Sequence, residues 1–172
     1  MSSAALIIFI YPKATIFLNE LIDSINDQSK RPNKVIFFND GVALLHEKLC
    51  GLNCDYEIVE VTGTPIEIRV FGINQLIKSP FENFIFQDAD DLLSRNRIEV
   101  CCNKLVENQF VVNDLDVMSH NGLVQTQGIW KSRFKNENQI DINDIIDKNF
   151  LGLGNTSIKK AALSKVKLSN RT

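Results

Sequence analysis

Residues 83–91 read Asn83-Phe84-Ile85-Phe86-Gln87-Asp88-Ala89-Asp90-Asp91, so a β-prone apolar run ends in three carboxylates within four positions. Aromatic and β-branched side chains suit a strand that other elements cover. Ligands of open α/β sheets bind beyond the carboxyl ends of the strands. Because Asp88 and Asp90 are two positions apart, we expect both to point the same way in an extended segment. The stretch predicts a buried strand that delivers paired carboxylates to a ligand crevice.

These acids have two interpretations. A divalent cation is the first, since hard cations take carboxylate oxygens and usually share their site with substrate phosphates. Helix capping is the second, because acids are favoured near a helix N-terminus and a helical pattern begins near Ser94. The stretch by itself leaves both open.

The segments around this stretch alternate regularly. Strands are predicted at 5–11, 34–38 and 56–61 and at the acidic stretch, and helices at 15–27, 42–49, 65–78 and 94–108. This order predicts an α/β fold, with a Rossmann-like, mostly parallel sheet, right-handed crossovers and helices on both faces. A smaller mixed segment follows, with strands predicted at 110–112, 117–118 and 125–135 and helices at 141–148 and 157–167. We expect one domain over residues 1–172, divided into halves 1–108 and 109–172.

Composition excludes several classes of function. The chain has 172 residues, 44% hydrophobic and 23% charged, and a formal net charge of -2, so it carries no electrostatic footprint for nucleic acid. No apolar run is long enough to cross a bilayer, and no basic region precedes the apolar residues 4–11. We therefore expect a cytoplasmic protein with reduced cysteines. The basic residues near the C-terminus suit a solvated helix face better than contact with a membrane or a partner subunit.

A second predicted strand also ends in an acid, in the sequence Asn39-Asp40-Gly41. A carboxylate at that place can accept hydrogen bonds from a base or a ribose, although Asp-Gly is also a strong turn signal. We expect two neighbouring parallel strands to bring Asp40 and the pair Asp88 and Asp90 to one groove.

Four segments of the sequence, in the order in which they follow one another, resemble the family 2 glycosyltransferases. Those enzymes open with an apolar strand and a helix that ends in a D-S-I-x-x-Q-[ST] run. The similar segments here are residues 6–11 with Asp23-Ser24-Ile25 and Gln28-Ser29, residues 34–41, residues 84–91, and Arg97-Ile98-Glu99. The resemblance covers most of residues 5–108 and, more loosely, residues 150–163.

The resemblance implies a GT-A fold and an inverting transfer of a sugar from a nucleotide-diphosphate sugar, such as a UDP-sugar, to an acceptor hydroxyl. It places Asp40 at the nucleoside base and Asp88 near the ribose. It assigns Asp90, with Asp88, to a Mn²⁺ or Mg²⁺ ion on the diphosphate. Tyr11 and Arg69 would also contact the donor.

The sequence departs from this family at three points. Tyr11-Pro12-Lys13 stands where the family's first strand usually runs into Pro-x-Tyr-Asn. Asn39 replaces the first acid of an acidic pair, and the family's catalytic base lies in a motif beyond the segment that resembles residues 151–163. The acids Asp114, Asp116 and Asp141 are candidate bases by residue type only. We therefore expect a truncated product, an isolated domain, or a protein that binds the donor without transferring it.

Other readings fit the residues less well. Phosphatases of the haloacid dehalogenase type carry their acids on the first strand and follow them with Thr or Val, whereas Leu92 follows the acids here. Nucleotidyltransferases of related fold carry a Gly-rich loop after the first strand, and residues 11–15 contain no Gly. A zinc site at Cys50 and Cys54 lacks a second pair of ligands.

Overall fold

The computed structural model describes residues 3–119, 122–130, 140 and 151–166. Its strands are β1 (Ala4–Ile10), β2 (Lys34–Asn39), β3 (Tyr56–Glu60), β4 (Asn83–Asp88), β5 (Phe110–Val112), β6 (Val117–Met118), β7 (Val124–Thr126) and β8 (Thr156–Lys159). Its helices are α1 (Leu18–Asn26), α2 (Leu45–Lys48), α3 (Pro65–Lys78), α4 (Arg97–Glu107) and α5 (Lys160–Leu163), and a 3₁₀ helix (Pro12–Phe17) precedes α1.

A mixed sheet with the strand order β3-β2-β1-β4-β8-β5 forms the centre of the described residues. β1 pairs in parallel with both β2 and β4, and β2 pairs in parallel with β3. β8 runs antiparallel between β4 and β5, and β6 and β7 form a separate hairpin. The prediction of an α/β fold with a mostly parallel sheet is confirmed.

Apolar cores lie on both faces of the sheet because successive strand residues point to opposite sides. On β1, Leu6 and Ile8 belong to one core, which α1, α2 and α4 cover. Ala5 and Ile7 belong to the other, which α3 and α5 cover. In the described residues the sheet is therefore covered by helices on both faces.

Several predicted elements differ at their ends. The helix predicted at 15–27 begins as the 3₁₀ helix, where Pro12 fits the first turn. The helix predicted at 42–49 starts only at Leu45, because Leu44 takes a left-handed φ of 54°. The helix predicted at 94–108 starts at Arg97, whereas the helix predicted at 65–78 has those bounds.

The second half of the chain differs more. The helix predicted at 157–167 is wrong at its start, because Thr156–Lys159 is a strand that pairs with both β4 and β5. The strand predicted at 125–135 is shorter, since β7 ends at Thr126 and Gly128 follows with a φ of 63°. The helix predicted at 141–148 lies outside the described residues.

The cysteines and the helices bear on two earlier expectations. All four cysteines are free, and Cys101 and Cys102 are buried in the core beside α1. Within the ranges that the structure describes, none of the helices combines the length and the apolar character needed to span a membrane.

Candidate functional site

Three strand exits meet at the carboxyl edge of the parallel strands. Ile10 of β1 is level with Asn39 of β2, and Phe9 is level with Asp88 of β4. The expectation that β2 and β4 are neighbours is wrong, because β1 lies between them. Two strand spacings separate the backbones of Asp40 and Asp88 by about 10 Å across the sheet, and Asp40 lies two residues further along the strands than Asp88.

The carboxylates of Asp88 and Asp90 have different neighbours. Asp88 is the last residue of β4 and is half-buried on the face that Phe84 and Phe86 share. The chain then turns at Ala89, so the exposed Asp90 faces β1 instead, where the hydroxyl of Tyr11 donates to its Oδ2 at 3.3 Å. The segment is not extended beyond Asp88, so the premise from which a common direction of the two acids was expected is wrong.

The acids do not cap the following helix. α4 begins at Arg97 with Asn96 at its N-cap, and the Asn96 side chain accepts no capping hydrogen bond; the amide of Ile98 in the first turn donates instead to Oε1 of Gln28, at 3.2 Å. Asp88, Asp90 and Asp91 all lie in the turn that precedes this N-cap by several residues. The capping interpretation is wrong, and the acids are left for another role.

Residues 88–91, called the acidic turn below, bring three carboxylates close enough to shift one another's pKa. Burial raises the pKa of Asp88, and the charge of Asp90 raises it further, whereas Arg69 and Arg97 lower it. Burial also raises the pKa of Asp91, with additional contributions from Asp88 and Asp90. Desolvation raises the pKa of Tyr11, and the charge of Asp90 adds to it. Like charges that raise one another's pKa are relieved by a cation.

A buried arginine lies beneath the acidic turn. Arg97 is only 7% exposed, and its Nη2 donates to the carbonyl oxygen of Phe86 at 2.7 Å and to that of Gly154 at 2.6 Å. Its Nη1 donates to Oε1 of Gln87. The Gln87 amide in turn donates to the carbonyls of Asp88 and Asp91, at 3.0 and 2.9 Å. One guanidinium thus connects the end of β4, the turn and the loop before β8.

Gly154 covers the carboxylate of Asp88. A Cβ at position 154 would overlap the Asp88 carboxylate, so a larger residue there would require that side chain or the loop to move. Neither Gly154 nor Arg97 is among the site residues that the sequence predicts. A signal for Arg97 was present, since it lies one turn before Cys101 on the apolar face of α4.

The exit of β2 is arranged differently. The amide of the buried Asn39 donates to the carbonyl of Val42 and to both carboxylate oxygens of Glu60, all at 3.0 Å. Its Oδ1 accepts from the Val42 amide at 2.9 Å. This explains why an amide stands there, because an acid would face Glu60 without a proton to donate. Asp40 follows, half-buried, and its backbone amide donates to Ile10 at 2.8 Å.

The carboxylate oxygens of Asp88 and Asp90 are donors of the kind that hard cations prefer. The described residues contain no group of three or more His, Cys, Asp or Glu side chains that would hold a metal by itself. The carboxylates of Asp88 and Asp90 are close enough to repel each other, and a divalent cation prefers such oxygens. An ion here would complete its coordination with water or with ligand phosphate.

The candidate bases in the described residues are engaged by backbone amides. Oδ1 of Asp114 accepts from the amides of Leu115 and Trp130, at 2.8 and 2.9 Å. Oδ1 of Asp116 accepts from the amide of Gly128 at 2.8 Å. Asp141 lies outside the described residues. No catalytic base is assigned from these contacts.

An open cleft of about 470 Å³ lies elsewhere, at the start of the edge strand β3. It is lined by His46, Cys54, Asp55, Tyr56 and Ile58. In it, the Tyr56 hydroxyl lies 2.7 Å from Nδ1 of His46. This is the amino end of the parallel strands, opposite to the acidic turn.

Solved structures resemble this chain in fold. S. aureus TarS 1-349 in complex with UDP aligns with a TM-score of 0.69 and 17% identity, covering 95% of this chain and 48% of that chain. TarS 1-349 in complex with UDP-GlcNAc gives a TM-score of 0.67 and 18% identity, with 95% and 47% covered. The 4-diphosphocytidyl-2C-methyl-D-erythritol synthase of Anaerococcus prevotii DSM 20548 gives 0.57 and 11% identity, with 99% and 79% covered.

No family model matches the chain, and no curated protein matches it. The chain spans about half the length of the TarS structures that it resembles, 48% in the complex with UDP. At such low identity the likeness concerns the fold alone. The described part of the chain therefore has a GT-A-like α/β fold, with its acidic turn at the edge where such sheets bind ligands.

Proposed function

We propose that this chain contains the donor-binding part of a glycosyltransferase related to family 2, which uses a divalent cation to transfer a sugar from a nucleotide-diphosphate sugar. The convergence of Asp40, Tyr11 and the Asp88–Asp91 turn at one sheet edge carries the proposal. The structural likeness to TarS, which binds UDP and UDP-GlcNAc, supports a UDP-sugar as the donor.

The proposed roles are those that the resemblance to family 2 glycosyltransferases implies. Asp40 would accept hydrogen bonds from the base, and Asp88 would lie near the ribose. Asp90, with Asp88, would hold Mn²⁺ or Mg²⁺ at the diphosphate. Tyr11 lies between the exits and already contacts Asp90, while Arg69 is exposed on α3 and acts electrostatically on Asp88, so both could contact the donor.

The reaction that we propose is an inverting transfer. The acceptor oxygen forms a bond to the anomeric carbon while the bond from that carbon to the diphosphate oxygen breaks. The hydroxyl proton passes to a carboxylate base, and the nucleoside diphosphate leaves with the bonding electrons. A divalent cation held by Asp88 and Asp90 would offset the charge that develops on the leaving group.

A thermal unfolding experiment tests donor binding. UDP with Mn²⁺ should raise the Tm by about 5–10 °C when the nucleotide is about a hundredfold above its Kd, since binding to the native state alone stabilises a chain of this size by that amount. Asp90→Asn should abolish the cation-dependent part of the shift. Asp40→Asn should weaken UDP binding and leave the response to Mn²⁺ alone unchanged.

Asp55→Asn is the matched control, because Asp55 is an exposed carboxylate at the opposite end of the strands. It should respond to UDP and Mn²⁺ like the wild type. If millimolar UDP with Mn²⁺ or Mg²⁺ leaves the wild-type transition where it was, the donor-site proposal fails.

One observation favours a second function, which is donor binding without transfer. Both described candidate bases already accept hydrogen bonds from loop amides. Hydrolysis of a UDP-sugar, or transfer to any acceptor hydroxyl, that disappears in Asp90→Asn would support the transferase. Tight UDP binding with neither activity, across a panel of sugars, would support the binding protein.

A further inference from the structure

Arg97 is an unusual residue for its position, because a charged side chain on a helix normally faces solvent. It lies at the start of α4, where a cation opposes the helix dipole, and it is buried. Burying a guanidinium costs free energy unless its donors are satisfied. The partners of its Nη1 and Nη2 atoms come from two distant parts of the chain, since Gly154 follows Arg97 by 57 residues.

The two contacted segments are those that shape the acidic turn. Through Phe86 and Gln87, Arg97 holds the last residues of β4 and, by way of the Gln87 amide, the carbonyls of Asp88 and Asp91. Through Gly154 it holds the loop that covers the Asp88 carboxylate. Among the described residues, the hydrogen bonds of the guanidinium go to Phe86, Gln87 and Gly154, and none goes to the Asp90 carboxylate.

We propose that Arg97 is a positioning residue that fastens the loop before β8, residues 151–155, onto the acidic turn. By holding the loop there, it fixes the carboxylates of Asp88 and Asp90 for a divalent cation. The cation part of this inference rests on the proposed function, whereas the fastening itself does not. Removing a residue that orients metal ligands typically lowers the metal affinity about 10–100-fold.

Hydrogen exchange without any ligand tests the fastening. Arg97→Met removes both charge and donors, and Arg97→Lys keeps the charge but not the planar fork that reaches two carbonyls. Both should speed amide exchange in residues 88–93 and 151–157 and leave α1 unchanged, because local opening depends on local contacts. Exchange that stays at wild-type rates in both segments, or that rises equally everywhere, overturns the proposal.

The matched control is Leu105→Ala, which opens a cavity on the same buried face of α4 two turns away. It should lower stability without a selective change in residues 88–93 and 151–157. If Leu105→Ala gives the same local pattern as Arg97→Lys, Arg97 has only a general structural role.

Isothermal titration with Mn²⁺ in the presence of UDP tests the cation part. Arg97→Lys should weaken Mn²⁺ binding about 10–100-fold, whereas Leu105→Ala should leave it unchanged. Wild-type protein that binds neither Mn²⁺ nor UDP refutes the proposed function, and hydrogen exchange then still decides the fastening. Wild-type affinity in Arg97→Lys overturns the positioning role.

Gly154→Ala approaches the same contact from the other side and serves if the Arg97 variants do not fold. Its Cβ would displace the loop from Asp88, so it should reproduce the exchange pattern and the loss of Mn²⁺ affinity with the arginine intact. Gly152→Ala is its control, since a Cβ there meets only the side chain of Asn155, at 3.3 Å. Equal behaviour of the two alanine variants would contradict the proposal.

Discussion

β2 and β4 end in the same pair of residue types, but the side chains that contact the two ends carry opposite charges. Each strand ends in a buried amide followed by an acid, Asn39-Asp40 in β2 and Gln87-Asp88 in β4. Each amide ties its own exit turn by hydrogen bonds to backbone carbonyls. The amide of β2 donates to an anion, Glu60, whereas the amide of β4 accepts from a cation, Arg97. The exit that gathers three carboxylates is the one with a cation beneath it.

Asn39→Asp should have the largest effect among the substitutions that break this comparison. The new carboxylate would be buried against Glu60 and the Val42 carbonyl with no proton to donate. We expect a loss of about 3 kcal/mol in the free energy of unfolding, measured by urea denaturation at neutral pH.

The double variant Asn39→Asp with Glu60→Gln restores one charge and one donor and should recover much of that loss. Glu60→Gln alone is the control. An Asn39→Asp protein as stable as the wild type would show that the two exits do not differ in the way described.

Gln87→Glu is the corresponding change at β4 and should cost less. It gives up the hydrogen bonds to the Asp88 and Asp91 carbonyls but places a carboxylate beside Arg97. We expect a loss of about 1–2 kcal/mol by the same urea measurement. A loss larger than that of Asn39→Asp would contradict the view that the cation beneath β4 matters.

Tyr11→Phe should have a smaller effect. The hydroxyl makes one exposed hydrogen bond to Asp90, at 3.3 Å, so its removal should change stability by less than about 1 kcal/mol. Spectrophotometric titration offers a second check, because Tyr11 should ionise above the ordinary tyrosine pKa and Asp90→Asn should lower that value. If Asp90→Asn leaves the pKa of Tyr11 unchanged, the Tyr11 hydroxyl does not interact with the Asp90 carboxylate.

Asp88→Asn should change the Tm least, and upward, in the absence of metal. Burial and Asp90 raise the pKa of Asp88 despite Arg69 and Arg97, so the folded state holds the proton more tightly than the unfolded chain. The corresponding stability is present at low pH and is lost as the pH rises through the folded-state pKa. Asp88→Asn should therefore exceed the wild type in Tm at neutral pH, with a difference that shrinks towards about pH 4. A lower Tm at neutral pH would contradict this.

Local patterns in the sequence predicted the parallel part of the sheet well. The apolar run before Asp88 and the helical spacing in residues 65–78 are signals within a few residues of one another. Asp40 and Asp88 were likewise expected at one sheet edge, but the strand order that inserts β1 between them depends on pairing across the sheet.

The remaining features depend on long-range contacts. Residues 156–159 have no pattern that distinguishes a strand from the start of the following helix, and their pairing with β4 and β5 decides the matter. The turn at Ala89 separates Asp88 from Asp90, although their spacing suggested a common direction. Arg97 finds its partner in Gly154, and nothing in either local sequence specifies the other.

The late arrival of β8 has a consequence for synthesis of the chain. Until residues 156–159 have been made, β4 is an unprotected edge strand, and β5 has no strand to pair with. Exposed edges recruit other chains, and pairing between distant segments forms slowly. The nascent protein should therefore be most prone to aggregate after β4 has left the ribosome and before β8 follows, and its acidic turn should be among the last parts to reach native shape.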